Sequence, residues 1–471
     1  MIRIPGWQLL AVALLGLIAL APHASASRFQ VLHAFKGGRD GKFPEAGLVR
    51  DEQTGNLFGT TFGELQENLG KHCPKSCGSN GSVFVISPAG AKAPSLPYSS
   101  LYQFKGGEDG AFPAAEMAVA GTELFGTTEY GGGTLCGGLG CGTVFQAAEA
   151  GNTPDQILFD FCTQANCSDG AFPRGGLISD GVNFYGTTLL GGAGNGFLCG
   201  SNLGGCGIVY SFATGATQPV ILYNFCTKAN CTDGAVPIGG LTSDSSGNLY
   251  GVTQFGGDHS AGTIYELTKD GDSWTERVLY SFCPDAGCPD GSVPEAGLLL
   301  DSTSGSFYGT TTFGGSGNNC PEGYPGCGVV FQLKPDGQGG FVEAVLHSFC
   351  SQDQSCDDGA FPQAPLEIDE NGILYGTTLR GGGGSCVKET PGCGVLFSLS
   401  LGKGAWAEKI LHAFGLIDHT DGAEPEGALL LDGGYIYGVT RIKGFRSGQN
   451  GTRFGTLYRY QYAHAPSRAQ H

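Results

Sequence analysis

The chain has 471 residues, of which 84 are glycine, 40 % hydrophobic and only 14 % charged. This is too apolar for a disordered chain, and the glycine sits in turn-like spots, as many short strands joined by tight turns require. A formal net charge of −18 argues against nucleic acid and against anionic membrane surfaces, both of which call for Lys/Arg-rich faces; acidity of this size suits a protein that must stay soluble after export.

The first element in chain order is a leader. Arg3 gives a positive start, Trp7 to Ala21 is apolar, and Ala24-Ser25-Ala26 offers a small-x-small cleavage site. This predicts a signal peptide over residues 1–26, cleavage near Ala26, and a secreted or periplasmic mature chain beginning near Ser27. No cysteine stands directly after the cleavage site and no later segment reaches 18 apolar residues, so no membrane span or anchor is expected in the mature chain. Residues 27–462 read as one domain, and residues 463–471 as a disordered C-terminal tail.

That domain repeats one phrase seven times. Each copy opens on Leu-x-x-Phe, passes an Asp-Gly-x-x-Pro step, then usually Gly-Leu, an aromatic-Gly-Thr-Thr or aromatic-Gly-Val-Thr run, and Gly-x-x-aromatic. The opening phenylalanines are Phe35, Phe104, Phe161, Phe225, Phe282, Phe349 and Phe414. A periodic chain of this kind is one architecture, because like units share a continuous core.

The 18 cysteines fall into two slots of the repeat. Between the opening Phe and the Asp-Gly lie Cys162 and Cys167, Cys226 and Cys231, Cys283 and Cys288, and Cys350 and Cys356. After the Gly-Thr-Thr strand lie Cys73 and Cys77, Cys136 and Cys141, Cys199 and Cys206, Cys320 and Cys327, and Cys386 and Cys393. Every slot holds both cysteines or neither. Local disulfides explain that pattern directly in an exported protein. Neither a Cys-x-x-Cys nor a zinc-ribbon spacing is present, so no metal is expected there. Each short loop closed contributes about 2 kcal/mol in the chain-entropy account.

Each copy holds four candidate strands. In the fifth these are Ala296 to Asp301, Ser306 to Thr311, Gly328 to Leu333 and Val345 to Phe349, all short, β-branched or aromatic, and bounded by turn residues. Four strands per unit and seven units predict an all-β, seven-bladed β-propeller; an open β-solenoid is the alternative. The register of the ends favours a ring. Phe29 to Phe35 is by motif a fourth strand, and the last copy stops at a third, Gly455 to Arg459, so the N-terminal strand is expected to complete the last blade.

The phrase Leu-x-x-Phe…Asp-Gly-x-x-Pro-x-x-Gly-Leu…Gly-Asn-Leu-Tyr-Gly-Thr-Thr…Gly-Thr-Val-Phe resembles the Gloeobacter/Verrucomicrobia-type tandem repeat of exported bacterial proteins. The fourth copy carries it in Gly247-Asn248-Leu249-Tyr250-Gly251 and Gly262-Thr263-Ile264-Tyr265. The resemblance implies export and propeller-like repeats. It implies no activity and no catalytic residues.

The recurring aspartates Asp40, Asp109, Asp169, Asp233, Asp290, Asp358 and Asp421 precede glycine, which is turn chemistry. Their spacing lacks the ligand series of a calcium loop, so neither a metal nor another cofactor is expected. His33, His347 and His412 share one repeat position and read as packing residues. A site in a propeller is sought where copies differ. The residue after the motif proline runs Glu45, Ala114, Arg174, Ile238, Glu295, Gln363, Glu426 and is expected at one mouth of the central channel. Glu116 replaces the usual glycine of Gly-Leu, and Glu129, Gln254, Arg380 and Arg441 follow the second strand. Glu45, Glu116, Arg174, Glu295, Gln363 and Glu426 are therefore the candidate binding residues, for an unknown glycan or protein ligand on a monomeric scaffold. The alternative is a glycosidase or lyase using channel-mouth carboxylates such as Glu45 and Glu426.

Overall fold

In the computed structural model seven antiparallel sheets of one design account for almost every strand. The structure describes residues 28–64, 79–87, 97–149, 156–194, 199, 204–271, 273–317, 320, 323–351, 355–383, 385–387, 390–416, 420–442 and 454–462. The expected leader and the tail lie outside them. The sheets form a seven-bladed β-propeller with almost no helix. The described helix is a single turn, Leu135–Gly138, beside short 3-10 turns in the loops between blades. In blades 3 and 4 the inner strand is split in two, so that Ala171–Pro173 and Ile178–Ser179 both pair with Asn183–Leu190.

Blade 5 shows how the sequence expectations fared. The second strand is Ser306–Thr311, as expected. The third is Val329–Pro335. The inner strand is shorter than expected, Leu299–Asp301. Ala296 and Gly297 leave their own ladder because they press against the neighbouring blade, where a Cβ on Gly297 would meet the Gly240 carbonyl oxygen at 3.0 Å. The outer strand is longer, Phe341–Ser348. Asp336 accepts the N–H groups of Gln338 and Gly340 and closes a tight hairpin turn before it.

The ring is closed by the N-terminal strand. Phe29–Ala34 pairs antiparallel with Thr456–Gln461, and Phe35 N–H continues the ladder to the Gly455 carbonyl at 3.1 Å. Without that pairing both strands would present unpaired edges.

The repeated words have local causes. The glycine of aromatic-Gly-Thr-Thr lies directly across the ladder from the third-strand aromatic in all seven blades: Gly59 opposite Phe84, Gly126 opposite Phe145, Gly186 opposite Tyr210, Gly251 opposite Tyr265, Gly309 opposite Phe331, Gly376 opposite Phe397 and Gly438 opposite Tyr458. The aromatic ring folds over the glycine, and a Cβ on Gly309 would stand 2.5 Å from Phe331 Cζ. The opening phenylalanine then meets the same ring of the following blade edge-on; Phe225 and Tyr265 are 4.9 Å apart, Phe35 and Phe84 5.5 Å. A chain of Phe, aromatic and glycine thus joins each blade to the next.

The residue before the motif proline adds a second joint. Phe43, Phe112, Phe172, Val236, Val293, Phe361 and Glu424 all adopt left-handed backbone, with φ between 54° and 61°. This is strained for a non-glycine residue, most of all for the two β-branched valines. The strain recurs because each N–H donates across the blade boundary, for example Phe172 to the Cys141 carbonyl at 2.7 Å and Phe43 to the Phe454 carbonyl at 3.1 Å.

Candidate functional site at the channel mouth

Each motif proline ends a loop and delivers the next residue to the inner strand at the channel. Glu45, Ala114, Arg174, Ile238, Glu295, Gln363 and Glu426 consequently line one cavity of about 340 Å³, with Arg441 as the eighth lining residue. A contiguous volume of about 290 Å³ shares these seven residues and reaches Glu116 and Glu367. The channel therefore gathers the six candidate residues, contributed by blades 1, 2, 3, 5, 6 and 7.

Two clusters organise the mouth. In the first, Glu295 is held from three sides: Gln254 Nε2 donates at 2.6 Å, Thr312 Oγ1 at 2.8 Å and Gln363 Nε2 at 2.8 Å. This carboxylate is fixed by its neighbours, and the Gln363 amide keeps donor and acceptor capacity towards the channel. In the second, Arg441 Nε donates to Glu45 Oε1 at 2.8 Å and its Nη1 to Glu424 Oε2 at 3.2 Å. Arg380 Nη1 reaches the other oxygen of Glu424 at 2.6 Å. Glu426 is 3.9 Å from Arg441 and accepts no hydrogen bond among the described residues. Arg174 lies 3.6 Å from Glu129, a loose pair in which the Arg174 side chain stays 40 % exposed.

Carboxylates outnumber cations here, and the low-dielectric wall makes that costly. Burial and then the neighbouring Glu45 charge push Glu426 up to about 8. Burial raises Glu45 as well, against the opposing pull of Arg441. Deeper in the channel, burial lifts Glu116 to about 7, helped by the Glu367 charge, and burial lifts Glu367 to about 7. Burial alone would lower Arg174 and Arg441, but the surrounding glutamates hold both above the ordinary guanidinium value. At neutral pH the mouth thus offers protonated carboxyls, carboxylates, an amide and guanidinium groups side by side.

Glu424 and Glu367 were missed in the sequence, although each carries a signal. Glu424 stands where the other six copies have Phe or Val, and Glu367 where they have Val, Ala, Ile, Thr or Leu. An acid at an otherwise uncharged repeat position marks a side chain turned to a different use. The motif aspartates are away from the channel and cap turns. Asp40 accepts Lys36 N–H and faces His33 Nε2, and Asp421 accepts Gly415 N–H and faces His412 Nε2. The three shared-position histidines bond the motif aspartates, and the tyrosines Tyr223 and Tyr280 do the same in their blades.

Seven of the nine expected cysteine pairs lie at disulfide distance: Cys136–Cys141, Cys162–Cys167, Cys199–Cys206, Cys226–Cys231, Cys283–Cys288, Cys320–Cys327 and Cys350–Cys356. The expected pair of Cys73 and Cys77 lies outside the described residues. Of the expected pair of Cys386 and Cys393, the Cys386 side chain also lies outside them, and Cys393 is disulfide-bonded. Among the described residues no helix is long and apolar enough to cross a membrane.

Residues 195–454 match the model of the Gloeobacter/Verrucomicrobia repeat. The chain belongs to this repeat family. No curated protein matches it. Solved structures with a similar chain trace include a puromycin-hydrolysing peptidase of Mycobacterium tuberculosis, 11 % identical with a TM-score of 0.47, covering 91 % of this chain and 55 % of the peptidase. A Trypanosoma rangeli sialidase is 12 % identical with a TM-score of 0.40, over 89 % of this chain and 54 % of the sialidase. A polysaccharide lyase acting on ulvan is 10 % identical with a TM-score of 0.42, over 74 % of this chain and 79 % of the lyase. The chain spans about half the length of the peptidase and of the sialidase.

Proposed function

We propose that this Gloeobacter/Verrucomicrobia repeat protein is an exported, disulfide-stapled binding propeller that takes a hydroxyl-rich ligand, a glycan, at the channel mouth. The observation that carries the reading is the cavity of about 340 Å³ lined by Arg441 and by a repeat position, the residue after the motif proline, at which the copies diverge. Six of its eight lining residues carry amide, carboxyl or guanidinium groups, beside Ala114 and Ile238, and none is aromatic, which suits bidentate hydrogen bonding to sugar hydroxyls. The rigid Glu295–Gln363 pair is the anchor, and Arg174, loosely paired, meets an acidic substituent of the ligand. The same reading includes a monomer without nucleic-acid or membrane partners, delivered to the periplasm or the medium.

A glycan array on the mature protein, followed by calorimetry on any hit, tests it. Gln363→Ala and Arg174→Ala should each weaken binding about 10-fold or more, the cost of leaving a hydroxyl or carboxylate unpaired. Absence of any glycan hit, or hits that both variants retain at full affinity, rejects the reading.

One observation supports a second reading. Glu426, pushed up to about 8, sits beside Glu45, whose carboxylate Arg441 holds. Such an asymmetric pair can act as acid and base in glycoside cleavage, Glu426 protonating the leaving oxygen and Glu45 taking the proton of the attacking water. Release of reducing ends from a bound glycan, abolished in Glu426→Gln without loss of binding, would identify the enzyme.

A further inference from the structure

The channel continues inward from the mouth. Its inner volume of about 290 Å³ is lined by Glu116 of blade 2 and Glu367 of blade 6. These blades are three steps apart round the ring of seven, so the two acids stand on opposite sides of the channel. The charge of Glu367 is felt at Glu116.

Both acids break the repeat. At the position of Glu116 the other six copies have Gly, Pro or Ala, and at that of Glu367 they have Val, Ala, Ile, Thr or Leu. These two layers of the wall are otherwise uncharged, and each receives one carboxyl. Room for the first comes from the neighbouring blade: a Cβ on Gly176 would already stand 3.2 Å from Glu116 Cβ.

Neither carboxyl has a partner of its own. Glu116 and Glu367 accept no hydrogen bond among the described residues. The mouth differs, since Glu295 has three donors and Glu45 has Arg441. Arg174 is the cation lining the inner volume. Its charge acts on Glu129, Glu45, Glu426 and Glu295, and not on Glu116 or Glu367. Both acids also keep part of their surface open to the channel. They are thus uncompensated and reachable, a costly arrangement in a low-dielectric wall unless positive charge enters.

The form of that charge follows from the ligand count. A hard metal ion needs an oxygen cage, and among the described residues no three acids lie close enough together to share an ion. An ammonium group carries three donors and can divide them between carboxylates on opposite walls without such a cage. The inner volume is contiguous with the mouth, so one ligand can occupy both.

We infer that Glu116 and Glu367 form an ammonium subsite in the inner channel, and that the glycan taken at the mouth is an amino sugar whose free amine reaches between them. This subsite rests on the glycan reading for the rest of the ligand.

Calorimetry of the mature protein with the tetramers of glucosamine, N-acetylglucosamine and glucose at pH 7 tests it. The three share one backbone and carry an amine, an amide or a hydroxyl at the same ring carbon. The glucosamine tetramer should bind about 10-fold or more tighter than the other two. Glu116→Gln and Glu367→Gln keep the shape and remove a charge, and each should remove most of that preference. At pH 5 the two carboxyls, which burial lifts to about 7, are protonated. The preference should then vanish, although the amine stays charged. The subsite is refuted if the three tetramers bind alike, and the glycan reading then stands. It is refuted if the preference survives in both variants, which would place the amine elsewhere. It is refuted if the preference grows at pH 5, which would mean attraction to the ordinary surface carboxylates of an acidic chain. If no tetramer binds, the subsite is refuted as well, and the glycan array judges the mouth separately.

Discussion

Arg441 Nε donates to Glu45 Oε1 at 2.8 Å although the two residues are 396 positions apart in the chain. Arg441 follows the second strand of the last blade and Glu45 precedes the inner strand of the first, so this pair spans the seam of the ring. The seam and the charged cluster of the candidate site are the same place. Closure of the propeller is therefore a condition for the geometry of the mouth, and not only for stability.

Deleting Ser27 to Phe35 should test both. The deletion removes the strand paired with Thr456–Gln461, together with Leu32 and Phe35, which are about 95 % buried. Phe29 also goes, and it stacks on His412 with ring centroids 3.7 Å apart. Two large apolar side chains at roughly 1.5–3 kcal/mol each predict a loss of several kcal/mol, plus aggregation through the exposed edge. Chemical denaturation compared with the mature chain checks this. An unchanged midpoint and a monomeric truncated protein would show that the ring does not depend on this strand.

A pH dependence follows from the raised carboxyls. Glu426 lies near 8, and Glu116, Glu367, Glu343 and Glu408 near 7. Between their unfolded value of about 4.5 and these folded values the native state holds more protons than the unfolded chain. Stability must then fall as pH rises across that window. The protein should be most stable near pH 5 and lose stability steadily towards pH 8.5. Glu426→Gln, which keeps the shape and removes the charge, should gain about 1–2 kcal/mol at pH 8.5 and little at pH 5. Melting curves that rise from pH 5 to pH 8.5 would contradict the burial of these groups.

The ring, its closure and the residues of the mouth were legible because they depend on repetition. A phrase written seven times whose residue after the proline changes from copy to copy announces where a symmetric ring brings its copies together. What stayed illegible depends on distance between copies. Nothing in the chain says that Gln254, Thr312 and Gln363 converge on Glu295, since three different blades supply the donors. The inner strand of blade 5 begins late because the neighbouring backbone crowds Gly297, a contact with no signature within the copy. The left-handed backbone before the motif proline was likewise invisible, because Phe and Val give no hint of it; only the bond across the blade boundary explains it.

The aromatic-glycine contact predicts a specific rescue. Gly309→Ala places a methyl group 2.5 Å from Phe331 Cζ and 3.2 Å from Leu298 Cδ2. In a close-packed sheet that overlap should cost about 1–3 kcal/mol. Phe331→Leu alone leaves a cavity and costs a similar amount. Combined, the two changes relieve each other, so the double variant should be less destabilised than the sum by about 1 kcal/mol or more. Additive losses in urea unfolding would mean that the ring does not depend on the missing side chain.

The disulfide proposal is nine local pairs with no free thiol, Cys73 with Cys77 and Cys386 with Cys393 included. The structure brings the other seven to bonding distance, with Cα atoms 3.9 to 5.4 Å apart. Crossed pairing has a real opportunity. The sulphurs of Cys136, Cys141 and Cys162 lie within 4.8 Å of one another, as do those of Cys199, Cys206 and Cys226, because the two slots share one face of the ring. Unreduced peptide mapping should nevertheless find Cys162 with Cys167, Cys199 with Cys206 and Cys73 with Cys77; Cys141 joined to Cys162 would overturn the proposal. The slots should also differ in strength. Both cysteines of every first-slot pair adopt left-handed backbone, with φ from 49° to 66°, and that strain of about 1 kcal/mol or more per residue is released when the bridge is removed. The chain-entropy gain from either loop is about 2 kcal/mol. Replacing Cys226 and Cys231 by serine should therefore cost clearly less than replacing Cys320 and Cys327, neither of which has positive φ. Equal losses in reversible unfolding would show that the left-handed turn persists without the bridge and that its strain belongs to the loop itself.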